Sequence, residues 1–214
     1  LILEPHMAAG LLCNMLGAID GDMVFKEASF LADKLDAIIA APGISLIDDP
    51  HLKRSPGSAP FDGEGFATYR KDLISKGALK TFLYDTYTAR KAGKKANACA
   101  RRGYASMPHP GTFNVYVEPG SDNPKDIYTS ADTALLLTRG MGRGLNSITG
   151  DYSRGANGLW LEKGEVVHAV QEVTIAGDYL EMLQNIDAIG TDLTMRGSSG
   201  APTLRVANIT VSGT

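Results

Sequence analysis

The first residues able to do chemistry lie in Leu3 to Leu12, LEPHMAAGLL, where Glu4 and His6 stand at the start of an expected helix. A zinc hydrolase sets two imidazoles on one helix face, with a carboxylate beside the first as base. Here position 10, four residues after His6, is a glycine. The other histidines, His51, His109 and His168, are isolated, and no HxH, HxxH or HExxH pattern occurs. Zinc needs three or four convergent ligands. Folding would have to gather distant ones, for example His6 with Cys13. The plainer reading puts His51, after Pro50, and His109, between Pro108 and Pro110, in loops, and His168 in a strand, with structural or solvent-facing roles for all.

Other groups invite the same weighing. Asp48 and Asp49 stand together, and Asp62 and Glu64 in FDGEG have the spacing of an acid/base pair. Carboxylates in a glycine-rich loop also cap turns through backbone N–H groups, and that is the favoured role here. The stretch RGMGRGLNSITGDYSRGANG, residues 139–158, crowds its glycines as a dinucleotide loop does. That fingerprint requires a strand before and a helix after. The expected order is a helix before and a strand after, and no Gly-Lys-Ser/Thr occurs. Its second half makes Asp151, Tyr152, Ser153 and Arg154 candidates for a substrate-binding or subunit-contact loop, since glycine permits close backbone approach. A purely structural turn is the competing reading. The run ARKAGKKANACARRG carries Arg90, Lys91, Lys94, Lys95, Arg101 and Arg102. It is the one feature favouring nucleic acid, and a solvated loop is its commoner meaning. Cys99 within it lacks a neighbouring His to act as base.

The elements positioning these groups follow from pattern. With 214 residues, 43% hydrophobic and 21% charged, the chain can bury a core without disulfides. The whole of 1–214 reads as a single domain. The net charge of -3 gives no general attraction to nucleic acid. The two cysteines, Cys13 and Cys99, are far apart, as expected for reduced thiols in a cytoplasm. No apolar run reaches membrane-spanning length. The chain opens without Met on an apolar segment, which reads as the later part of a longer protein.

Pro5 starts a helix continued over 7–18. Ser29 caps a second helix through Ile39, and 55–65 forms a long loop. Hairpins turn at Lys76-Gly77 and Lys163-Gly164. TFNVYVEPG is a strand, Asn123-Pro124 starts a helix to about Thr138, and Asp178 caps one through Ile189. LRVANITVSG closes the chain as one strand. The sum is an α+β fold, largely antiparallel, with a curved or barrel-like sheet and a few packed helices.

Several stretches together resemble the TldD/PmbA family, the so-called modulators of DNA gyrase. They are SPGSAPFDGEG, LISKGALKTFLYDTYTARKAG, GLNSITGDYSRGANGLWLEKGE, VQEVTIAGDYLEML and IGTDL. The match covers nearly all of this chain but only the C-terminal half of a family protein, and it looks most like the PmbA branch, also called TldE. The resemblance implies a cytoplasmic pair. Its TldD-type member is a zinc peptidase with HExxxH and a Cys ligand near the C-terminus. Its PmbA-type member lacks the metal and completes a chamber for unstructured peptides such as microcin precursors and an antitoxin. Aligned by apolar frame, the first ligand His falls at Glu4, the base at Pro5 and the second ligand at Ala9. After IGTDL, TMRGSSGAP holds serines and no Cys. The resemblance therefore implies a chain with no catalytic residue and no cofactor of its own, with zinc expected in a TldD-type partner. It also allows a homodimer when the chain is alone. A self-sufficient peptidase with a different metal site, sensitive to changes at His6 or His51, is one alternative. A DNA- or gyrase-interacting module, weakened when Lys94 and Lys95 become Glu, is the other.

Overall fold

The computed structural model of the chain describes residues 1–142 and 144–213. A short strand, β1 (Ile2–Leu3), leads through extended Glu4 into helix α1 (Pro5–Cys13). Pro5 suits the first turn because its missing N–H has no partner there. Ala8, Ala9, Leu11 and Leu12 turn into the core. The helix tightens at Asn14–Gly17 and is followed by α2 (Gly21–Phe25), capped by the Asp20 carboxylate accepting the Asp22 N–H at 2.8 Å.

The helix expected from Ser29 to Ile39 is absent. Residues 29–41 form successive turns. Asp36 adopts a φ of 63°, which interrupts any helix. The amides of Asp36 and Ile39 donate instead to Leu79 and Gly77 carbonyls of the next hairpin. Leu31 and Ile39 are buried, while Leu35 and Ile38 stay exposed.

Strands β2 (Leu46–Asp48), β3 (Lys71–Ser75) and β4 (Ala78–Leu79) follow. The β3–β4 turn lies at Lys76-Gly77 as expected, both residues with positive φ, as a two-residue hairpin requires. Helix α3 (Thr86–Ala92) carries a capping box between Asp85 and Thr88 and ends at left-handed Gly93. Then come β5 (Ala100–Arg101), β6 (His109–Pro110), β7 (Val115–Val117) and α4 (Pro124–Thr129). The helix expected to reach Thr138 stops at Thr129, because the buried apolar run beyond it is strand β8 (Thr133–Met141). The long hairpin of β9 (Asp151–Glu162) and β10 (Glu165–Asp178) turns at Lys163-Gly164 as expected. Asp178 caps α5 (Tyr179–Gln184), which ends early where β11 (Ile186–Ile189) enters the sheet. Strands β12 (Thr194–Arg196), β13 (Ser199–Ala201), β14 (Leu204–Val206) and β15 (Thr210–Ser212) complete the chain.

The seven-stranded sheet runs β11-β14-β1-β8-β9-β10-β15, and the six-stranded one β12-β13-β7-β2-β3-β4. Pairing is mostly antiparallel, with β1–β8 and β13–β7 parallel, so the sheets are mixed rather than purely antiparallel. The closing strand expected as one piece is broken at Asn208, φ 54°. Its halves β14 and β15 lie five strand steps apart in the larger sheet. A flat sheet would separate them by about 24 Å. The short link between them spans about 14 Å at most. The sheet must therefore curl, and it forms a half-barrel.

The core joins both sheets. Tyr179, fully buried on α5, donates its hydroxyl to the Leu11 carbonyl of α1. Its ring stacks on Tyr152 of β9 at 6.0 Å and meets Phe30 edge-on at 6.0 Å. Among the described residues no helix is long and apolar enough to cross a membrane.

Candidate functional site

Helix α1 lies against the β12–β13 hairpin, and a groove of about 320 Å³ opens between them. From α1, His6, Ala9, Gly10 and Cys13 line it, the i, i+3, i+4, i+7 series that forms one helical face. From the hairpin come Thr194, Met195, Arg196 and Ser199. Gly197, with a φ of 63°, makes the hairpin's turn. Tertiary structure thus joins LEPHMAAGLL and TMRGSSGAP, the two stretches to which the family resemblance assigns metal ligands.

The side chains do not fit zinc. Neither Glu4 nor Pro5 lines the groove, and Ala9 offers only a methyl. Its one imidazole and one thiol are His6 and Cys13. Burial pushes the Cys13 thiol up, partly opposed by a hydrogen bond with Ser199, so it carries no charge at neutral pH. Among the described residues, no three or more His, Cys, Asp or Glu converge as a metal site. Two donors fall short of the three or four that zinc takes from a protein.

Asp151, Tyr152, Ser153 and Arg154 open β9, and strand alternation divides them. Asp151 and Ser153 are exposed, and Asp151 accepts from the Thr149 hydroxyl at 2.6 Å. Tyr152 is 4% exposed and packs in the core. Arg154 is half-buried, and among the described residues its Nε has no hydrogen-bond partner. The neighbouring glycines permit these approaches. A Cβ on Gly140 would stand 2.4 Å from the Arg154 guanidinium, and one on Gly144 would stand 2.4 Å from the Tyr152 ring. A strand, β8, precedes this glycine-rich stretch where a helix was expected. Arg143 of the stretch lies outside the described residues.

The remaining candidates are used by the fold. Asp62 accepts from the amides of Glu64, Phe66 and Ala100 at 2.9, 3.0 and 3.1 Å. Glu64 accepts from the Thr86 amide at 3.0 Å and from the Thr86 hydroxyl. Both carboxylates therefore fasten the 55–65 loop to β5 and α3. His51 Nε2 lies 3.2 Å from the Thr68 hydroxyl, and His168 stacks on Trp160. His109, expected in a loop, pairs with Arg101 in the small β5–β6 sheet. Of the basic run, Lys94 and Lys95 line one surface cavity with Lys80, while others are engaged by neighbours. Lys91 meets Asp22 at 3.7 Å and lies over Tyr87, while Arg101 lies over Phe113.

One buried pair was not legible from spacing. Asp48 accepts the Phe113 N–H at 2.7 Å, but its second oxygen has no partner. Burial raises this carboxyl to about 6 despite nearby Lys71. The Lys71 amine donates to the carbonyls of Ala98 and Tyr69, at 3.1 and 3.3 Å, and burial lowers its pKa. Cys99 beside them is pushed up to about 12, chiefly by burial, which leaves it inert as a nucleophile. The Asp48-Asp49 doublet was visible in the sequence, but nothing local pointed to Lys71.

The profile of the PmbA/TldA metallopeptidase C-terminal domain matches residues 1–213. Metalloprotease PmbA of Escherichia coli O157:H7 is 36% identical over 211 residues, covering 96% of this chain and 45% of that protein. The Metalloprotease PmbA homolog of Haemophilus influenzae is 34% identical, covering 97% of this chain and 44% of that one. The crystal structure of TldE from Thermococcus kodakarensis superposes with a TM-score of 0.90 at 29% identity, over 99% of this chain and 49% of that one. The chain thus spans about half the length of these relatives.

Proposed function

Because the chain belongs to the PmbA/TldD metallopeptidase family, we propose that it acts as a non-catalytic subunit of the PmbA/TldE kind. In this reading it pairs with a zinc-bearing TldD-type peptidase in the cytoplasm and helps enclose unstructured peptides for processing. The observation that carries the reading is the donor set of the α1/β12–β13 groove. Pro5, at the position that the resemblance gives to the base, can neither activate water nor accept a proton, Ala9 cannot ligate, and the hairpin stretch TMRGSSGAP carries serines and no Cys. A partner supplies the missing metal and base. The likeness to TldE, a protein of the same overall form in this region, agrees with that assignment.

The fold also suits an extended peptide. β12 is the end strand of its sheet, so among the described residues one row of its backbone N–H and C=O groups has no strand partner, and its residues Thr194, Met195 and Arg196 also line the groove. An extended chain can add to such an edge. Of the 151–154 stretch, Asp151 and Ser153 are exposed on β9, and to these two the reading gives the contact with substrate or partner.

The test is zinc per chain, by elemental mass spectrometry, on full-length protein purified alone without a metal-affinity tag. Well below one zinc per chain is expected, with peptide hydrolysis appearing only on addition of a TldD-type peptidase. One zinc per chain retained through dialysis, with hydrolysis by this protein alone, would overturn the reading.

A further inference from the structure

The residues lining the α1/β12–β13 groove differ in the charge and hydrogen bonds they offer. Arg196 brings a permanent cation, exposed at the groove wall. Among the described residues it forms no ion pair. His6 contributes ring nitrogens from the facing helix, and Thr194 and Ser199 contribute hydroxyls. Not one lining residue is Asp or Glu. The closest acid before the hairpin, Asp192, spends its two carboxylate oxygens on the Thr203 amide and hydroxyl, at 2.9 and 2.7 Å. Cys13 stays a neutral thiol. Ala9, Gly10 and Met195 give the rest of the groove an apolar surface.

A cavity with a free guanidinium, further donors and no anion is complementary to a carboxylate, because Arg presents a planar fork to its two oxygens. About 320 Å³ accommodates one residue and its terminus, and the apolar surface meets that residue's side chain. The open edge of β12 ends at Arg196, so a peptide aligned along that edge delivers its end there. We propose that this groove binds the C-terminal carboxylate of a peptide, with Arg196 as its anchor and His6 facing it from α1. The inference rests on the peptide-enclosing role above and assigns that role a specific contact. The helix position that ligates metal in a peptidase here holds a peptide end.

The experiment is calorimetric titration of the full-length protein alone, with no partner present. The probes are an N-acetylated alanine tripeptide with a free carboxyl, its C-terminal amide, and an amidated tripeptide ending in aspartate. The acid is expected to bind at least about tenfold more tightly than either amide, the value of one charge-assisted contact. Arg196→Gln should remove that preference, and Arg196→Lys should restore part of it. Lys53→Gln, at an exposed cation elsewhere, should leave it unchanged, and thermal melts verify that each variant folds. Equal binding of acid and amide, equal binding of the aspartate amide, binding unmoved by Arg196→Gln, or no binding up to about 10 mM would each overturn the proposal. None of these outcomes touches zinc content or partner-dependent hydrolysis, so failure of the pocket and failure of the subunit reading are separately visible.

Discussion

The buried Asp48 makes neutral pH unfavourable to this fold, and replacing it with Asn reveals by how much. Asp48 is fully buried, accepts one backbone N–H, and has a second oxygen without a partner. Ionisation therefore places a charge in the interior, a cost that the Phe113 N–H, Lys71, the Asn114 backbone and Arg101 only partly offset. Its carboxyl rises from the ordinary 3.8 to about 6. The folded state holds this proton to a higher pH than the unfolded chain does. The associated stability is thus complete below pH 3.8 and is lost as pH rises through about 6. At about 1.4 kcal/mol per pH unit, that interval corresponds to about 3 kcal/mol. In Asp48→Asn the group does not titrate. Other carboxylates, such as Asp22 held low by Lys26, titrate alike in both proteins and cancel in the difference. The amide also lacks a partner for the group replacing the second oxygen, which adds a constant offset. Urea unfolding of both proteins from pH 4 to 7 measures the difference directly. The variant should gain about 2.4 kcal/mol relative to the parent over this range, because at pH 4 the unfolded carboxyl is already partly ionised, or about 5–10 °C in Tm. A difference flat to within about 0.5 kcal/mol, or one moving the other way, would refute the account of a strained buried carboxylate.

Two further perturbations test how the loops are held. Asn114 is fully buried, with its amide oxygen accepting from the Ser55 hydroxyl and Gly57 N–H and its nitrogen donating to the Asp49 carbonyl and Ser58 hydroxyl. Asn114→Ala should cost about 3 kcal/mol and expose the loop to trypsin at Lys53 and Arg54. An unchanged melt and cleavage pattern would show that the loop is held otherwise. Gly77→Ala places a Cβ 2.4 Å from the Ala40 carbonyl at a φ of 83°, whereas Gly65→Ala at 89° meets open space. Both pay about 1 kcal/mol for left-handed backbone. Gly77→Ala should lose at least about another 1 kcal/mol in denaturant unfolding, and equal losses would remove the close approach as the reason for that glycine.

Local chemistry made several elements readable in advance. Pro5, Asn123 and Asp178 each start a helix, and the latter two accept backbone N–H groups through their side chains. Each Lys-Gly pair makes a two-residue turn because both positions take positive φ. The errors lie where short-range pattern is ambiguous. Thr133 to Thr138 reads equally as buried helix or buried strand, and pairing with β1 and β9 decides for strand. The apolar spacing of residues 29–39 mimics a helix, yet their amides find partners on a hairpin distant in sequence.

The sequence by itself determined the turns, the caps, the alternation that makes most strands, and the lack of the HExxxH histidines, with Glu4, Pro5 and Ala9 at the positions that the resemblance gives to the first ligand, the base and the second ligand. These depend on residues within a few positions of one another, whose sterics and hydrogen bonds act before any tertiary contact. Tertiary structure alone decided that the closing segment splits across a curled sheet. It also decided that Asp48 is buried opposite Lys71 across β2 and β3, and that α1 and the β12–β13 hairpin enclose a groove that, among the described residues, holds Arg196 and no acid. Their partners are far apart along the chain, and only packing of the two sheets about one core brings them within range of each other's charge.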